Sequence, residues 1–310
     1  MMVVLNPNAG GGAALLRWKR IEPELRRRCG RFDLEVLEAP HRIGPSVSAR
    51  FNAGESQFVA AGGDGTVNAL GRAALNLIPA EGGRRIAIGA IGLGSSNDFH
   101  KPVSPDRCIG GVPCAVDFTS ATPRDVGVVT IGGNGGADRR YFLVNASVGL
   151  TAQANRFFNT PDPILRGLKG RWTRAAILYA ALTTILHYAN ARAKVSVDDG
   201  AFQPIEITNL AVLKSPHVSG NLRFPGAPDY ASGLFLIHLL CYAGRLTRLR
   251  FLCALSGGRP PATAAIESRR ARKVTVMAET GFPVEFDGEV VETTEATFSL
   301  LPQRLRVCRC

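Results

Sequence analysis

The chain has 310 residues, of which 45% are hydrophobic and 20% are charged. This composition is typical of a globular protein and excludes an intrinsically disordered or fibrous chain. The formal net charge of +12 points to anionic partners such as nucleotide phosphates, nucleic acid or an acidic membrane surface, although a solvated basic surface explains the charge about equally well.

The first 120 residues alternate between strand and helix patterns. The apolar run Met2–Asn6 predicts a strand, and the apolar spacing over Leu15–Leu25 predicts a helix, which Pro23 is expected to kink or split. The next predicted elements are strand Asp33–Leu37, helix Pro45–Asn52, strand Gln57–Ala61, helix Thr66–Leu77 and strand Arg85–Ile91. This alternation favours a parallel α/β sheet.

After about Arg124 the regular alternation ends. Two strands, 125–131 and 139–144, are joined by a hairpin signal at Gly132–Gly136, and helical patterns follow at Leu150–Phe158 and Arg171–Tyr188. Further strands are predicted at Ala193–Val197, Ile205–Leu213, Leu234–Cys241, Lys273–Met277, Val284–Phe286 and Thr297–Leu300. We therefore expect an α/β domain over residues 1–124 and a β-rich antiparallel sheet or sandwich over 125–299, with a helical insertion near 150–190. Residues 300–310 are a candidate for rejoining the first domain.

Three glycine-rich turns each follow a predicted strand of the first domain. They are Asn6–Gly12, Gly62–Asn68 and Gly92–Phe99. Because the carboxyl ends of parallel strands lie along one edge of a sheet, we expect the three turns to meet in one crevice. Glycine lets backbone N–H groups approach an anion closely, and the N-terminus of a following helix favours negative charge. The turns match neither a Walker A loop nor a dinucleotide fingerprint, but together they predict a site for a polyphosphate nucleotide.

The same residues carry a resemblance to a known family. Gly62–Thr66, preceded by Asn6-Pro7 and followed by Gly94–Phe99, resembles the diacylglycerol kinase catalytic-domain family, which includes bacterial lipid kinases and, more distantly, sphingosine and ceramide kinases. Asn145–Leu150 resembles the segment that opens the second domain of this family, and Phe286–Glu289 resembles its late Asp-Gly-Glu motif. The resemblance covers nearly the whole chain and implies a nucleotide-binding α/β domain, a β-rich domain and an active site between them.

The resemblance also implies a role for each matching residue, with ATP and Mg²⁺ as cofactors. Asp64 would orient the phosphates through Mg²⁺ or bear on the acceptor hydroxyl, and Glu289 would be the general base with Asp287 beside it. The residues implied to bind the nucleotide are Asn6, Pro7, Asn8, Ala9, Gly10, Gly62, Gly63, Asp64, Gly65, Thr66, Val67, Asn68, Ser95 and Asn97. Apart from the resemblance, Asp287-Gly288 is a favourable hairpin turn pair, and Asp64 is equally a turn former or a helix cap.

The sequence departs from the family pattern at several places, among them the following two. Pro40 stands where the family has a Thr that contacts the nucleotide, and proline supplies neither a hydroxyl nor an N–H. This contact is therefore either lost or replaced, with His41 as a candidate replacement. The family also holds a structural Mg²⁺ in its second domain. The matching residues are Asp229, Ser232 and Leu234, and Ser232 stands where the family has a ligating Asp.

The helical insertion combines basic and apolar residues. They are Arg156, Arg166, Lys169, Arg171 and Arg174 with Phe157, Phe158, Leu165, Leu168 and Trp172. Such a mixture suits peripheral docking on an anionic membrane, although an ordinary charged insertion is as good an interpretation. No nucleic-acid-binding module is recognisable. Seven cysteines without a zinc-site spacing, and a start without signal-peptide features, favour the cytoplasm and the inner membrane face, with a homodimer left open.

The best-supported function is therefore an ATP- and Mg²⁺-dependent lipid kinase. Its acceptor would be a hydroxyl of diacylglycerol or of a related lipid. The alternatives are an NAD kinase-like enzyme, since the Gly-Gly-Asp-Gly-Thr string is shared with NAD kinases, and a non-catalytic protein that binds nucleotide or lipid.

Overall fold

The secondary structure separates into two units. A computed structural model describes residues 1–78, 85–132, 138–160, 162–169, 172–227, 229–257 and 266–308, without the side chains of residues 40, 169, 173 and 174. The first unit comprises Met1–Val126 and Pro302–Cys310, and the second comprises Gly127–Leu301.

The first unit contains a parallel sheet whose strands are connected by helices. Its elements are β1 Met2–Leu5, α1 Ala14–Cys29, β2 Asp33–Val36, α2 Ile43–Asn52, β3 Gln57–Gly62, α3 Asp64–Leu77, β4 Ala87–Gly92, β5 Cys108–Ile109 and β6 Val112–Ala115. The parallel strands lie in the order β4-β3-β1-β2. Residues 306–307 add to β4 in parallel, which explains why the chain end belongs to this unit. The predicted α/β class is confirmed.

Helix α1 shows how the apolar pattern becomes packing. Trp18, Ile21 and Leu25 are buried together with residues of β1 and β3, so one side of the helix covers the sheet. The helix continues through Pro23 without interruption, and the expectation of a split helix is wrong. We attribute the continuity to burial of Ile21 and Leu25 on either side of the proline, which holds both halves against the same sheet.

The second unit is built mainly of antiparallel strands. The chain passes from the first unit into the second within β7 Thr122–Gly132, and the other elements of the second unit follow this strand. They are β8 Asp138–Phe142, β9 Asn145–Gly149, α4 Leu150–Phe158, α5 Pro163–Lys169, α6 Thr173–His187, β10 Ala191–Val197, β11 Gln203–Leu213, β12 His217–Val218, β13 Leu222–Arg223, β14 Phe235–Cys241, α7 Arg245–Ser256, β15 Ile266–Ala271, β16 Val274–Phe286 and β17 Glu289–Val307.

The strand pairing of the second unit encloses an aromatic core. Strands β11 and β16 each pair with β10 at one end and with β9 at the other, while β14 pairs along β11 and β15 pairs with β14. The enclosed core includes Phe142, Phe235, Phe282, Phe286 and Phe298. The predicted β-rich domain is confirmed. Strands β7 and β8 are paired as expected, but residues 133–136 of the predicted hairpin lie outside the described residues.

Helices α4, α5 and α6 form the insertion between β9 and β10. Leu165 of α5 is buried with Ala176 and Ala180 of α6, so these helices share a small core of their own. Within the described residues, none of the helices has the length and apolarity that a bilayer crossing requires.

Candidate nucleotide site

The three glycine turns of the first unit touch one another, as the parallel strand order predicts. A Cβ atom on Gly10, which has φ of 60°, would lie 2.6 Å from the carbonyl oxygen of Leu93. A Cβ atom on Gly94 would lie 2.4 Å from the Cα atom of Gly63. Only glycine permits these approaches, so the backbones of the turns after β1, β3 and β4 form one continuous surface.

Hydrogen bonds fix the turns relative to one another. The backbone N–H of Asn6 donates to the carbonyl of Ala61 at 2.9 Å, and that of Leu93 donates to the carbonyl of Gly62 at 2.8 Å. The Asn6 side-chain amide donates to the Thr66 hydroxyl at 3.2 Å. Each turn is therefore held at the end of its strand by its neighbour, which preorganises backbone groups for an anion.

Asp64 and Asn97 both hold the third turn in place. The Asp64 carboxylate accepts a hydrogen bond of 2.9 Å from the backbone N–H of Phe99. The Asn97 side chain accepts from the N–H of Gly94 at 3.0 Å and donates to the carbonyls of Gly92 and Gly94, both at 3.1 Å. All three of these Asn97 hydrogen bonds lie within its own turn, so its observed role is to shape that turn. The predicted role was a contact with the nucleotide.

The residues of the second and third turns differ in accessibility. Gly65 and Ser95 are exposed, whereas Thr66, Val67 and Asn68 are buried in helix α3. The side chains of these three residues pack inside the unit. The backbone of the turns and the exposed Ser95 side chain are therefore the predicted nucleotide-binding groups that are accessible to a ligand.

A cavity of about 300 Å³ opens beside the third turn, and Arg17, Arg20 and Asn97 are among its lining residues. The Arg17 guanidinium lies 3.4 Å from the carbonyl oxygens of Leu93 and Gly94. Two arginine charges next to a glycine backbone surface favour an anionic occupant. The sequence analysis missed both arginines, although their position in the helix that follows the first turn is a usable signal.

In the second unit, the Asp-Gly-Glu segment forms a tight hairpin. Phe286 pairs with Glu289, and the two residues between them have positive φ angles of 45° for Asp287 and 90° for Gly288. These angles are those of a two-residue turn that Asp-Gly sequences favour. Glu289 is exposed at the start of β17.

The sequence analysis predicted a catalytic role for Asp287, but its observed contacts are structural. Its carboxylate accepts hydrogen bonds from the backbone N–H groups of Leu143 at 2.6 Å, Val144 at 3.0 Å and Asn145 at 3.1 Å. The group is almost fully buried. These three hydrogen bonds anchor the hairpin to the start of β9. Within this unit the Asp287 carboxylate therefore serves as an acceptor for backbone N–H groups.

Buried Glu285 supports the same hairpin and was not found from the sequence. Its carboxylate accepts from the N–H of Gly288 at 2.7 Å and from the Ser147 hydroxyl at 2.9 Å. Two acidic residues, Glu285 and Asp287, therefore fix the turn that presents Glu289.

Comparison with known families decides the identity of both parts of the chain. Residues 1–132 match the diacylglycerol kinase catalytic domain, and residues 145–309 match the YegS C-terminal NAD kinase beta sandwich-like domain. The second match covers more than half of the chain, which therefore belongs to the family that this C-terminal domain defines. The match of the first 132 residues to a diacylglycerol kinase catalytic domain indicates the kinase type of enzyme and the use of ATP.

Individual relatives agree with this family. The chain is 25% identical over 295 residues to a Chromohalobacter salexigens protein named "Probable lipid kinase YegS-like", covering 91% of this chain and 88% of the relative. The fold is similar to the crystal structure of a diacylglycerol kinase from Bacillus anthracis, with a TM-score of 0.68 and 18% identity, covering 100% of this chain and 96% of the other.

The residues that the family resemblance implies for a structural Mg²⁺ do not form a suitable set of ligands. The Asp229 carboxylate accepts from the N–H of Ser232 at 3.2 Å and lies 3.5 Å from the Arg270 guanidinium. The Leu234 carbonyl already accepts a hydrogen bond of 2.8 Å from the Lys214 ammonium. Mg²⁺ needs several hard oxygen ligands. One carboxylate flanked by two cationic side chains does not fit the ion, and the described residues contain no cluster of three His, Cys, Asp or Glu side chains.

The electrostatics of Asp229 support this conclusion. Burial opposes ionisation of its carboxyl, but the hydrogen bond from Ser232 and the charge of Lys214 outweigh burial and hold the pKa of Asp229 below its ordinary value. The protein itself therefore supplies the positive charge that stabilises this carboxylate. Pro228, which precedes it, lies outside the described residues.

The predicted basic and apolar cluster of the helical insertion is only partly exposed. Leu165 faces inward, because it belongs to the small core between α5 and α6, whereas Trp172 is 69% exposed. Arg156 is paired with Glu292 at 2.5 Å. Arg171 and the side chains of Lys169, Arg174 and Pro40 lie outside the described set.

The exposed apolar residues of this region lie mainly on α6, and the sequence analysis had not singled them out. Leu178, Leu182 and Leu186 are exposed at four-residue intervals, so they form one stripe along the helix.

Proposed function

We propose that the protein transfers the γ-phosphoryl group of ATP to a hydroxyl of diacylglycerol or of a related lipid, with Mg²⁺ as cofactor. The observation that carries the proposal is the contact among the three glycine turns, where Gly10 meets Leu93 and Gly63 meets Gly94. Family membership supplies the reaction type, and the name of the C. salexigens relative supplies the lipid class of the acceptor. Diacylglycerol is the first acceptor to test.

Phosphoryl transfer depends mostly on positioning and on stabilisation of charge. The glycine backbone surface, the N-terminus of α3 and the guanidinium groups of Arg17 and Arg20 are suited to hold a triphosphate. Magnesium bound with the triphosphate would offset part of its negative charge. The Asp64 carboxylate fits as a ligand, because Mg²⁺ is usually held by one or two carboxylates together with substrate phosphates.

We assign Glu289 as the general base toward the lipid hydroxyl. Its carboxylate is exposed on a hairpin whose turn is fixed by Asp287 and Glu285. A carboxylate that accepts the hydroxyl proton as the new bond forms contributes roughly 10²- to 10⁴-fold in rate.

We further propose that the exposed stripe of α6 faces an anionic membrane surface, which would place the enzyme at the cytoplasmic side of the inner membrane. Leu178, Leu182 and Leu186 supply apolar contact, and α7 adds exposed Leu246 and Leu249. Arg245 and Arg250 of α7 are exposed near these leucines in the sequence, and the chain as a whole is strongly basic. Apolar contact combined with positive charge is the pattern of peripheral binding to acidic lipids.

The decisive experiment is a product assay with the purified full chain, ATP and Mg²⁺. A panel of lipids in mixed micelles is incubated with labelled ATP, and phosphorylated lipids are identified by mass spectrometry. Phosphatidic acid formed from diacylglycerol supports the proposal. Formation of NADP from NAD instead would establish the NAD kinase-like alternative, and binding of nucleotide without any labelled product would establish a non-catalytic protein.

A further inference from the structure

Lys214 places a buried ammonium group at the end of β11. The residue is only 2% exposed, and its Nζ atom donates to the Leu234 carbonyl at 2.8 Å. Its own carbonyl accepts from the backbone N–H of Asp229 at 3.3 Å, and its backbone N–H donates to Val144 at 3.0 Å. Lys214 therefore connects residues 229–234, which we call the acidic loop, to the end of the central strand β11.

The ammonium is bound by the kind of groups that bind a metal ion. A charged amine is costly to bury unless oxygen atoms or opposite charges replace its water. Here the Leu234 carbonyl accepts directly from the ammonium, and the backbone N–H of Asp229 donates to the carbonyl of the same lysine. Carbonyl and carboxylate oxygens are also the ligands that Mg²⁺ and Ca²⁺ prefer.

The charge of the acidic loop matches a monovalent cation. Ser232 is neutral at the position where the family resemblance predicts a second carboxylate, and its hydroxyl accepts from the N–H of Leu234 at 3.2 Å. Asp229 is the single charged residue among residues 229–234, and the Arg270 guanidinium also lies 3.5 Å from its carboxylate, so the loop has no negative charge left for a divalent ion.

We propose that the Lys214 ammonium is a built-in cation that takes the place of a divalent metal ion and holds the acidic loop without one. The loop contact then does not depend on metal supply, because the cation is a side chain of the residue that follows β11. This inference concerns the second unit alone and does not depend on the proposed kinase reaction.

The first test measures the midpoint of thermal unfolding, Tm, of the full wild-type chain without nucleotide. Samples contain either a chelator or millimolar Mg²⁺, and the same comparison is repeated with Ca²⁺. We expect equal Tm values in all conditions. A metal-dependent rise in Tm that Asp229→Asn abolishes would overturn the proposal, because it would show that the acidic loop binds the ion.

The second test removes the ammonium. Lys214→Met keeps most of the buried side chain and should lower Tm by about 5 °C in chelator, since the buried Leu234 carbonyl loses its donor. Lys194→Met, at an exposed lysine of β10, is the matched control and should leave Tm unchanged. An unchanged Tm in Lys214→Met would contradict the proposal.

The third test converts the loop. The double variant Lys214→Met/Ser232→Asp should gain a Mg²⁺-dependent rise in Tm, because it replaces the ammonium with a second carboxylate. Absence of that rise would overturn the claim that the ammonium stands in a metal position. If Lys214→Met variants do not fold, the single variant Ser232→Asp is the test. It keeps the native ammonium, so its Tm should not change with Mg²⁺. A Mg²⁺-dependent rise in its Tm would exclude a built-in cation.

Discussion

Two neighbouring acidic residues of the second unit have separable roles. Asp287→Ala should lower the free energy of unfolding by about 3 kcal/mol, because three buried N–H groups lose their acceptor. Glu289→Gln, two residues away and exposed, should leave the unfolding free energy unchanged and slow phosphoryl transfer by roughly 10²- to 10⁴-fold. Urea unfolding and the lipid phosphorylation assay measure the two effects. A stable Asp287→Ala variant without activity would instead support a chemical role for Asp287.

The sequence showed part of this arrangement and concealed the rest. Asp287-Gly288 is a recognisable turn pair because the turn is local, and both residues have the positive φ angles that such a turn requires. The acceptor role of Asp287 toward Leu143, Val144 and Asn145 joins residues more than 140 positions apart. No local pattern reports such a contact, so the resemblance led to a catalytic interpretation of a residue whose observed contacts are structural.

The junction of the glycine turns makes a prediction about two glycines of the nucleotide site. Gly94→Ala should destabilise the first unit, because the new methyl group would meet the backbone of Gly63 at 2.4 Å, and backbone cannot move aside as a side chain does. Gly65→Ala is the matched control. Nothing lies within 4 Å of its added methyl group, and alanine favours helix α3.

Thermal unfolding checks both glycine variants. We expect a Tm several degrees lower for Gly94→Ala, and a Tm equal to or above that of the wild type for Gly65→Ala. Equal stability of the two variants would show that the turns after β3 and β4 are not in contact.

At the scale of elements, helix α6 makes a prediction about membrane binding. Leu178→Asp/Leu182→Asp should reduce binding to vesicles that contain an anionic phospholipid, because the change removes apolar contact and adds negative charge to the exposed stripe. Leu16→Asp, at an exposed leucine of α1, is the control and should bind like the wild type. Co-sedimentation with anionic and with neutral vesicles measures the effect. Binding that is equal in both variants would exclude the stripe as the docking surface.

Helices with regular apolar spacing could be predicted, whereas helix α7, which buries a charge, could not. Helices α1, α3 and α4 were expected close to their observed positions. Helix α7 was missed because its buried side includes Arg248, whose guanidinium donates to the carbonyls of Ile185 and Tyr188 at the end of α6. An arginine that caps a neighbouring helix cannot be distinguished from a surface arginine in a hydrophobicity pattern.

Strand β16 shows a second limit at the scale of elements. The sequence predicted two short strands, Lys273–Met277 and Val284–Phe286, whereas the structure has a single strand with a change of register between Met277 and Phe282. The residues at this irregularity include exposed Glu279 and Gly281, which interrupt the apolar alternation although pairing with β17 continues on both sides.

At the scale of the molecule, the sequence predicted the class of each unit from its pattern of alternation. The order of the strands could not be deduced in the same way, because it is determined by crossovers between residues that are distant in the chain. The parallel order β4-β3-β1-β2 brings the first, third and fourth strand ends together, and this order creates the contact among the glycine turns. The candidate nucleotide site of the first unit is thus a consequence of topology acting on three motifs that the sequence shows separately.

The stability of the molecule should also depend on pH through buried His100. Neither of its ring nitrogens has a hydrogen-bond partner among the described residues. Burial, with a smaller contribution from the charge of Arg124, lowers the pKa of His100 from 6.5 to about 4. Below pH 6.5 the unfolded chain therefore binds a proton that the folded chain does not accept until about pH 4. The free energy of unfolding should fall by about 3 kcal/mol across this window and change little further below it.

His100→Leu removes this titration and should make the unfolding free energy less dependent on pH between 6.5 and 4. Some dependence should remain, because burial also lowers the pKa of His238, and that histidine contributes with the same sign. His41→Leu, at an exposed histidine, should keep the wild-type slope. Urea unfolding at a series of pH values measures the three slopes. Equal losses of stability on acidification in His100→Leu and the wild type would mean that the folded protein accepts a proton on His100 without cost. The ring would then not be buried without hydrogen-bond partners.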